Sequence, residues 1–363
     1  MIDTQRLRQN LHKLIDIYSP SGKEEEIVEY LHGYLECRGL PVLRQPVDDK
    51  RHNLLLVPPD ADVQLALVGH LDTVAAYDLD EYEYREGEGL ITGLGASDMK
   101  GGCAAMIEAF VCHYEQASSG ISTALALVVG EEEDGDGAER LAEGFHFPWV
   151  IIGEPTSLYP CLSQYGYLEI NLGVAGKRMH ASLANKAQNP IEAMLHLIQR
   201  ISDYLINKRP ESVYNIRDFF SSQASFSVPD RCNAWIDVHL PPEAPMGEII
   251  IELEDIIVQE QQSHRELNVS LKFDTVDAGY ALPEKGAVIE SLKGVYEKHF
   301  LPWTPQPFRS HSDANHLWAA GMKPILLGCG NLDKAHAPDE SVPFDQVCLA
   351  AEIYLDLLIA NSA

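Results

Sequence analysis

Three features of the 363-residue sequence predict an α/β protein in which a small α+β domain interrupts a larger domain built on a mixed, largely parallel sheet. Short, continuously apolar runs at 65–68, 124–129, 149–152 and 324–327 alternate with helical stretches, as strands buried on both faces of a parallel sheet do. Between residues 165 and 276 apolar and polar residues instead alternate strictly, the mark of a sheet with one open face. A single hydrophobic core stops growing at roughly 250 to 300 residues, so a chain of this length favours two domains.

In chain order, a first helical pattern breaks at Ser19-Pro20-Ser21-Gly22, and a second helix ends near Gly39, with Ser21 and Glu24 as its expected capping box. The runs 65–68 and 124–129 flank the Gly-rich loop Gly95-Ala96-Ser97-Asp98-Met99-Lys100-Gly101-Gly102, which opens a helix. The inserted segment starts with Leu168, Ile170, Leu172 and Val174 on one face of a strand. A helix at 190–207, a short strand at 224–228 and a strand carrying Cys232, Ala234, Ile236 and Val238 follow. A helix at 246–263 and a strand with Leu267, Val269, Leu271 and Phe273 complete a β-α-β-β-α-β order, the ferredoxin-like arrangement. The expected domains are therefore 1–164 with 277–363, and 165–276.

The formal charge of −28 excludes whole classes of partner. A nucleic-acid binder needs a basic surface to displace counterions, and anionic membranes repel such a chain. Divalent cations are compatible with it, because carboxylates are their ligands. No window carries the run of about 18 apolar residues that spans a bilayer, and the start MIDTQRLRQN lacks a signal-peptide core, so a cytoplasmic protein is expected. Seven cysteines (Cys37, Cys103, Cys112, Cys161, Cys232, Cys329, Cys348) are scattered and never spaced CxxC, against a disulfide framework or zinc finger. GxSxG, Walker and GxGxxG signatures are missing after the strands.

Ligands of open α/β sheets bind beyond the carboxyl ends of the strands. There the sequence sets Gly69-His70-Leu71-Asp72, Gly130-Glu131-Glu132-Glu133 and Gly153-Glu154-Pro155, and the last run leads through Gly328-Cys329-Gly330 to His336. Any one of these residues alone is an ordinary polar residue. Anions and imidazoles converging at one sheet edge without a cation would repel one another while losing their hydration, and bound metal removes that difficulty.

These residues resemble the M20 metallopeptidases, specifically the acetylornithine deacetylase and succinyl-diaminopimelate desuccinylase branch. The matching boxes are HLDTV at 70–74, SDMKGG at 97–102, GEEEDGDG at 130–137, GEPT at 153–156, SDAN at 312–315, and His336 followed by Asp339-Glu340. The resemblance implies a catalytic domain with an inserted lid that makes a homodimer, and two Zn2+ ions for which Co2+ can substitute. Asp98 would bridge the metals, with His70 and Glu154 at one and Glu133 and His336 at the other. Asp72 would fix the His70 tautomer, and Glu132 would be the general base. His180 would reach the partner subunit's site and bind the oxyanion.

Two positions depart from the pattern. Met179-His180-Ala181-Ser182 stands where relatives carry Gly-His-Ser, and His239 stands where they commonly carry Arg, which makes Arg309 the candidate for a substrate carboxylate. The contiguous His311, Ser312 and Asp313 are not expected to form a hydrolase triad. The activity implied is removal of a small acyl group, acetyl foremost, from an N-acyl amino acid such as N-acetylornithine or N-acetyllysine. The alternatives are a di- or tripeptidase, the desuccinylase, and a non-catalytic metal-binding protein. The acidity of the chain weakly disfavours an acidic carrier protein as substrate-bearing partner.

Overall fold

The apolar runs form a six-stranded sheet in the order Leu43–Pro46, His52–Leu56, Thr123–Val128, Leu65–His70, Trp149–Ile152, Lys323–Leu326. The last four strands are mutually parallel and the first two pair antiparallel, so the sheet is mixed and largely parallel. Every residue of Leu65–His70 and Thr123–Val128 is buried, which is why those segments are apolar without alternation. The computed structural model describes residues 1–59, 61–78, 82–116, 121–186, 188–223 and 225–362. Two compact units divide the chain, the first being Met1–Ser163, Leu282–Phe308 and Ser312–Ala363. Among the described residues no helix is long and apolar enough to cross a membrane.

Helix Lys100–Gln116 packs on strands Leu65–His70 and Thr123–Val128 and against helices Thr4–Asp16 and Phe344–Ala360. It is buried from Lys100 through His113, so its sequence is apolar almost all round. A Cβ on Gly102 would stand 2.2 Å from the Gly153 carbonyl oxygen, so the absent side chain lets the helix start meet the end of strand Trp149–Ile152. That contact sets the Gly-rich loop beside the carboxyl ends of the strands.

The capping box expected at the second helix does not form. Helix Glu25–Glu36 is preceded by Glu24, which makes no side-chain cap, while the Ser21 hydroxyl donates to Asp72 Oδ2 at 2.6 Å. The helix begins too late for Ser21 to accept from a first-turn N–H, and its hydroxyl donates to a fully charged acceptor instead.

The second unit is Gln164–Ala281 with Arg309–His311, wider than the 165–276 drawn from alternation alone. Its antiparallel sheet runs Val213–Ser221, Arg231–Leu240, Gly166–Ala175, Asn268–Asp277, and helices Pro190–Lys208 and Met246–Ser263 bury one face of it. Leu168, Ile170, Leu172, Cys232, Ala234, Ile236 and Val238 form its core with Leu197, Ile201 and Leu253 from the helices. The β-α-β-β-α-β order holds, but its second strand is Val213–Ser221, not 224–228. Ser227–Val228 instead bridges Met179–His180, and Ala224 lies outside the described residues. Val213–Ser221 is an edge strand exposed along almost its whole length, so no alternation of burial marked its sequence.

Candidate metal centre

His70 ends strand Leu65–His70, Asp98 stands two residues before helix Lys100–Gln116, and Glu131 and Glu132 lie in the turn after strand Thr123–Val128. Glu154 follows strand Trp149–Ile152, and His336 sits on a loop with its backbone in the left-handed region at φ 56°. Asp98 faces both imidazoles, with Oδ1 3.3 Å from His70 Nε2 and Oδ2 3.6 Å from His336 Nε2. Glu154 Oε1 lies 3.9 Å from His70 Nε2, and Glu132 Oε2 lies 2.9 Å from His336 Nε2. Glu131 Oε2 is 3.7 Å from His70 Nε2.

The geometry differs by one residue from the allocation expected within Glu131-Glu132-Glu133. Glu132, not Glu133, meets His336, and Glu133 is exposed along a surface cleft with Ser21, Lys50, Arg51 and Asp134. The cause is a backbone clamp. Gly130 turns the chain at φ 79°, and the Asp72 carboxylate accepts the N–H groups of Glu131 at 3.2 Å and Glu132 at 3.0 Å. The first two glutamates therefore turn inward and the third is left in solvent. Asp72 also departs from its expected contact: its backbone carbonyl, at 3.1 Å, is nearer the His70 Nδ1 than its carboxylate at 3.6 Å. A carbonyl oxygen can only accept, so it favours a proton on Nδ1 and leaves Nε2 as the nitrogen turned to the carboxylates.

Burial pushes the Glu131 and Glu154 carboxyls well above their usual range, and neighbouring carboxylates add to it; burial raises Glu132 in the same direction. Asp98 is held low against its burial by His70 and His336. The hydrogen bond to Glu132 lifts His336 to about 9. Burial opposes charge on His70, but Glu131, Asp98, Asp72 and Glu154 together drive it well above its ordinary value. Glu132 Oε1 and Glu154 Oε1 are buried without a hydrogen-bond partner. Surplus lone pairs in a dry pocket, beside His70, Asp98 and Glu132 ligand atoms within 4.8 Å of one another, fit divalent cations with nitrogen and oxygen ligands.

Two carboxylates not assigned a role from the sequence belong to this region. Glu340 accepts the backbone N–H groups of Gly95, Ser97 and Asp98, each at 2.9 Å, tying the segment after His336 to the loop that carries Asp98. Asp313 is buried with both carboxylate oxygens unpaired, and burial pushes it up to about 8. Ser312 caps helix Asp313–Ala319, a structural task that accounts for it without a nucleophilic role.

The remaining sequence-named residues lie in the second unit. His180 is exposed and its Nδ1 contacts the Ser182 hydroxyl at 2.9 Å. Arg309 is exposed. His239 is held neutral-favouring by burial, and Tyr167 stacks on His311 at 4.0 Å and tilts against His239 at 5.2 Å. An aromatic-imidazole cluster thus surrounds His239.

Over residues 66–360 the chain matches peptidase family M20/M25/M40. It is 28% identical to an acetylornithine deacetylase of Proteus mirabilis over 345 residues, 88% of this chain and 85% of that one. Its fold matches a tripeptidase of Staphylococcus aureus with a TM-score of 0.83 at 21% identity, covering 100% of both chains. It also matches a dinuclear metal-binding M20 peptidase of Bacillus subtilis with a TM-score of 0.71 at 11% identity, covering 99% of both. With its sheet-edge carboxylates and imidazoles ordered as the boxes require, the chain is a metal-dependent hydrolase belonging to peptidase family M20/M25/M40.

Proposed function

We propose that the enzyme is a cytoplasmic deacylase that removes a small acyl group, acetyl foremost, from an N-acyl amino acid such as N-acetylornithine or N-acetyllysine. The observation that carries this reading is Asp98, which turns one oxygen to His70 and the other to His336, each imidazole having a further carboxylate of its own. His70 and Glu154 would hold one zinc ion, His336 and Glu132 the other, with Asp98 between them; Co2+ fits the same ligands. Bound zinc supplies Lewis acidity, making water acidic near neutral pH and polarising the substrate carbonyl.

Glu131 is the inward-turned, half-buried glutamate left over from this ligand set and takes the general-base role expected of Glu132. It accepts the proton of the attacking water and passes it to the leaving amine nitrogen as the amide bond breaks. Its N–H donation to Asp72 keeps it in place through the cycle. Arg309 binds the substrate carboxylate. The edge strand Val213–Ser221, with Ile216, Phe219 and Phe220 exposed, pairs with its copy in a homodimer, and His180 serves the neighbouring subunit's oxyanion. The 28% identity to the Proteus acetylornithine deacetylase over 345 residues supports the acyl-amino-acid reading, and the fold match to the Staphylococcus tripeptidase over 100% of both chains keeps a peptidase as the second reading.

A hydrolysis panel tests it. Zinc-loaded protein should turn over N-acetyl basic amino acids faster than N-succinyl amino acids or dipeptides. Dipeptides hydrolysed faster than every N-acyl amino acid would overturn the reading in favour of a peptidase.

A further inference from the structure

A second convergence of imidazole and carboxylate lies wholly within the inserted unit. Glu260, near the end of helix Met246–Ser263, has a fully buried side chain. Its Oε1 faces two imidazole nitrogens from different segments: His196 Nδ1 at 2.9 Å, from helix Pro190–Lys208, and His264 Nε2 at 3.0 Å, four residues further along its own chain. Arg200 Nη1 donates to the other oxygen, Oε2, at 3.0 Å, and His196 Nδ1 also lies 3.1 Å from it. The three candidate ligand atoms are within 4.8 Å of one another. The His196 side chain is 57% exposed and that of His264 27%, so the cluster opens to solvent on the imidazole side while the carboxylate is sealed behind it.

We propose that His196, Glu260 and His264 form a further divalent transition-metal site, suited to zinc, that ties the two helices of this unit together. Two imidazoles and one carboxylate, with positions left for water, are a donor set that zinc accepts. Without metal, both imidazoles must turn an N–H toward one carboxylate. A cation at about 2.0–2.2 Å from each ligand replaces those two donors with one centre, and needs only that each imidazole shift its proton to the other ring nitrogen. Arg200 plays the part of an outer partner: it occupies Oε2, keeps the carboxylate ionised and leaves Oε1 turned to the imidazoles. Its positive charge also opposes a cation, so this site is weaker than the buried catalytic one. The site shares no residue with the catalytic centre, and its ligands come from two helices whose packing builds the core of the unit, His264 being the residue that ends one of them.

The test is zinc content by equilibrium dialysis of the fully loaded enzyme against buffered free zinc, in wild type and in His196→Ala/His264→Ala. Wild type should take up one zinc per chain more than the double variant, with unchanged hydrolysis and with a zinc-dependent rise in the unfolding midpoint that the variant lacks. Equal zinc content in the two proteins, or no uptake by wild type beyond its catalytic complement, would overturn the proposal. Should the double variant not fold, His196→Ala alone removes an exposed ligand and answers the same question. The same titration on His336→Ala keeps the two sites apart: the catalytic complement falls, while the zinc that depends on His196 remains.

Discussion

Replacing Gly102 by Ala ties core packing directly to the metal centre. The added Cβ would stand 2.2 Å from the Gly153 oxygen and 3.1 Å from its carbonyl carbon, about 1 Å short of ordinary contact. Both obstacles are backbone, so no rotamer change relieves them. Alanine is favoured over glycine by at most about 1 kcal/mol in a helix interior and by less in the first turn, where Gly102 stands, whereas overpacking a core costs about 1–3 kcal/mol. With the Gly153 carbonyl itself in the way the upper end applies, and Gly102→Ala should lose about 2 kcal/mol net. The displaced Gly153 immediately precedes Glu154, so zinc affinity should fall as well, by about tenfold for each 1.4 kcal/mol passed on. Gly294→Ala is the internal control: in helix Ala287–Lys298 its Cβ meets nothing within 4 Å. It should gain about 0.5–1 kcal/mol. Urea unfolding of metal-free protein and zinc titration read both effects. If Gly102→Ala is as stable as Gly294→Ala and binds zinc like wild type, the close approach of helix to strand does not govern the site.

Two further outcomes are expected. Burial works against charge on Glu260, but His196 and Arg200 outweigh it, with His264 adding, and hold the carboxyl below its ordinary range. For a carboxyl with a lowered folded pKa, the stabilisation is complete above the unfolded value of about 4.3 and is lost as pH falls through the folded value. The urea midpoint of metal-free wild type should therefore drop through that acid window, and Glu260→Gln should flatten this part of the profile; an unchanged profile would count against the cluster. At the subunit level, mixing inactive His180→Ala and Glu131→Ala chains under exchange should restore activity to one site of each heterodimer. Verified exchange without recovery would rule out a shared oxyanion site.

The parallel strands were legible because burial on both faces demands unbroken apolar runs, and the insert because burial on one face demands alternation. Val213–Ser221 escaped notice for the complementary reason: a strand exposed along most of its length has nothing in its sequence to alternate against. At the site, residue types and spacing marked His70, Asp98, Glu154 and His336 as ligand candidates converging from separate strands. Which of the three glutamates turn inward was not legible: Asp72, two residues past another strand, accepts two consecutive N–H groups and so orients them. Glu340 was opaque in the same way, since its three acceptor bonds reach a loop far back in the chain. Ser21 was misjudged because a local capping motif cannot reveal a charged acceptor brought near by folding.

The central claim is that Glu131 carries the proton and Glu132 carries metal. Metal content and turnover measured side by side on Glu131→Gln, Glu132→Gln and Glu133→Gln test it most directly. Glu131→Gln should keep two zinc ions per chain while turnover falls by at least about a hundredfold, the usual worth of a positioned acid and base. Glu132→Gln should lose zinc from the His336 side, and Glu133→Gln, exposed in solvent, should change neither quantity. If Glu132→Gln keeps both ions but not turnover, and Glu133→Gln loses metal, the assignment drawn from the Asp72 clamp is contradicted.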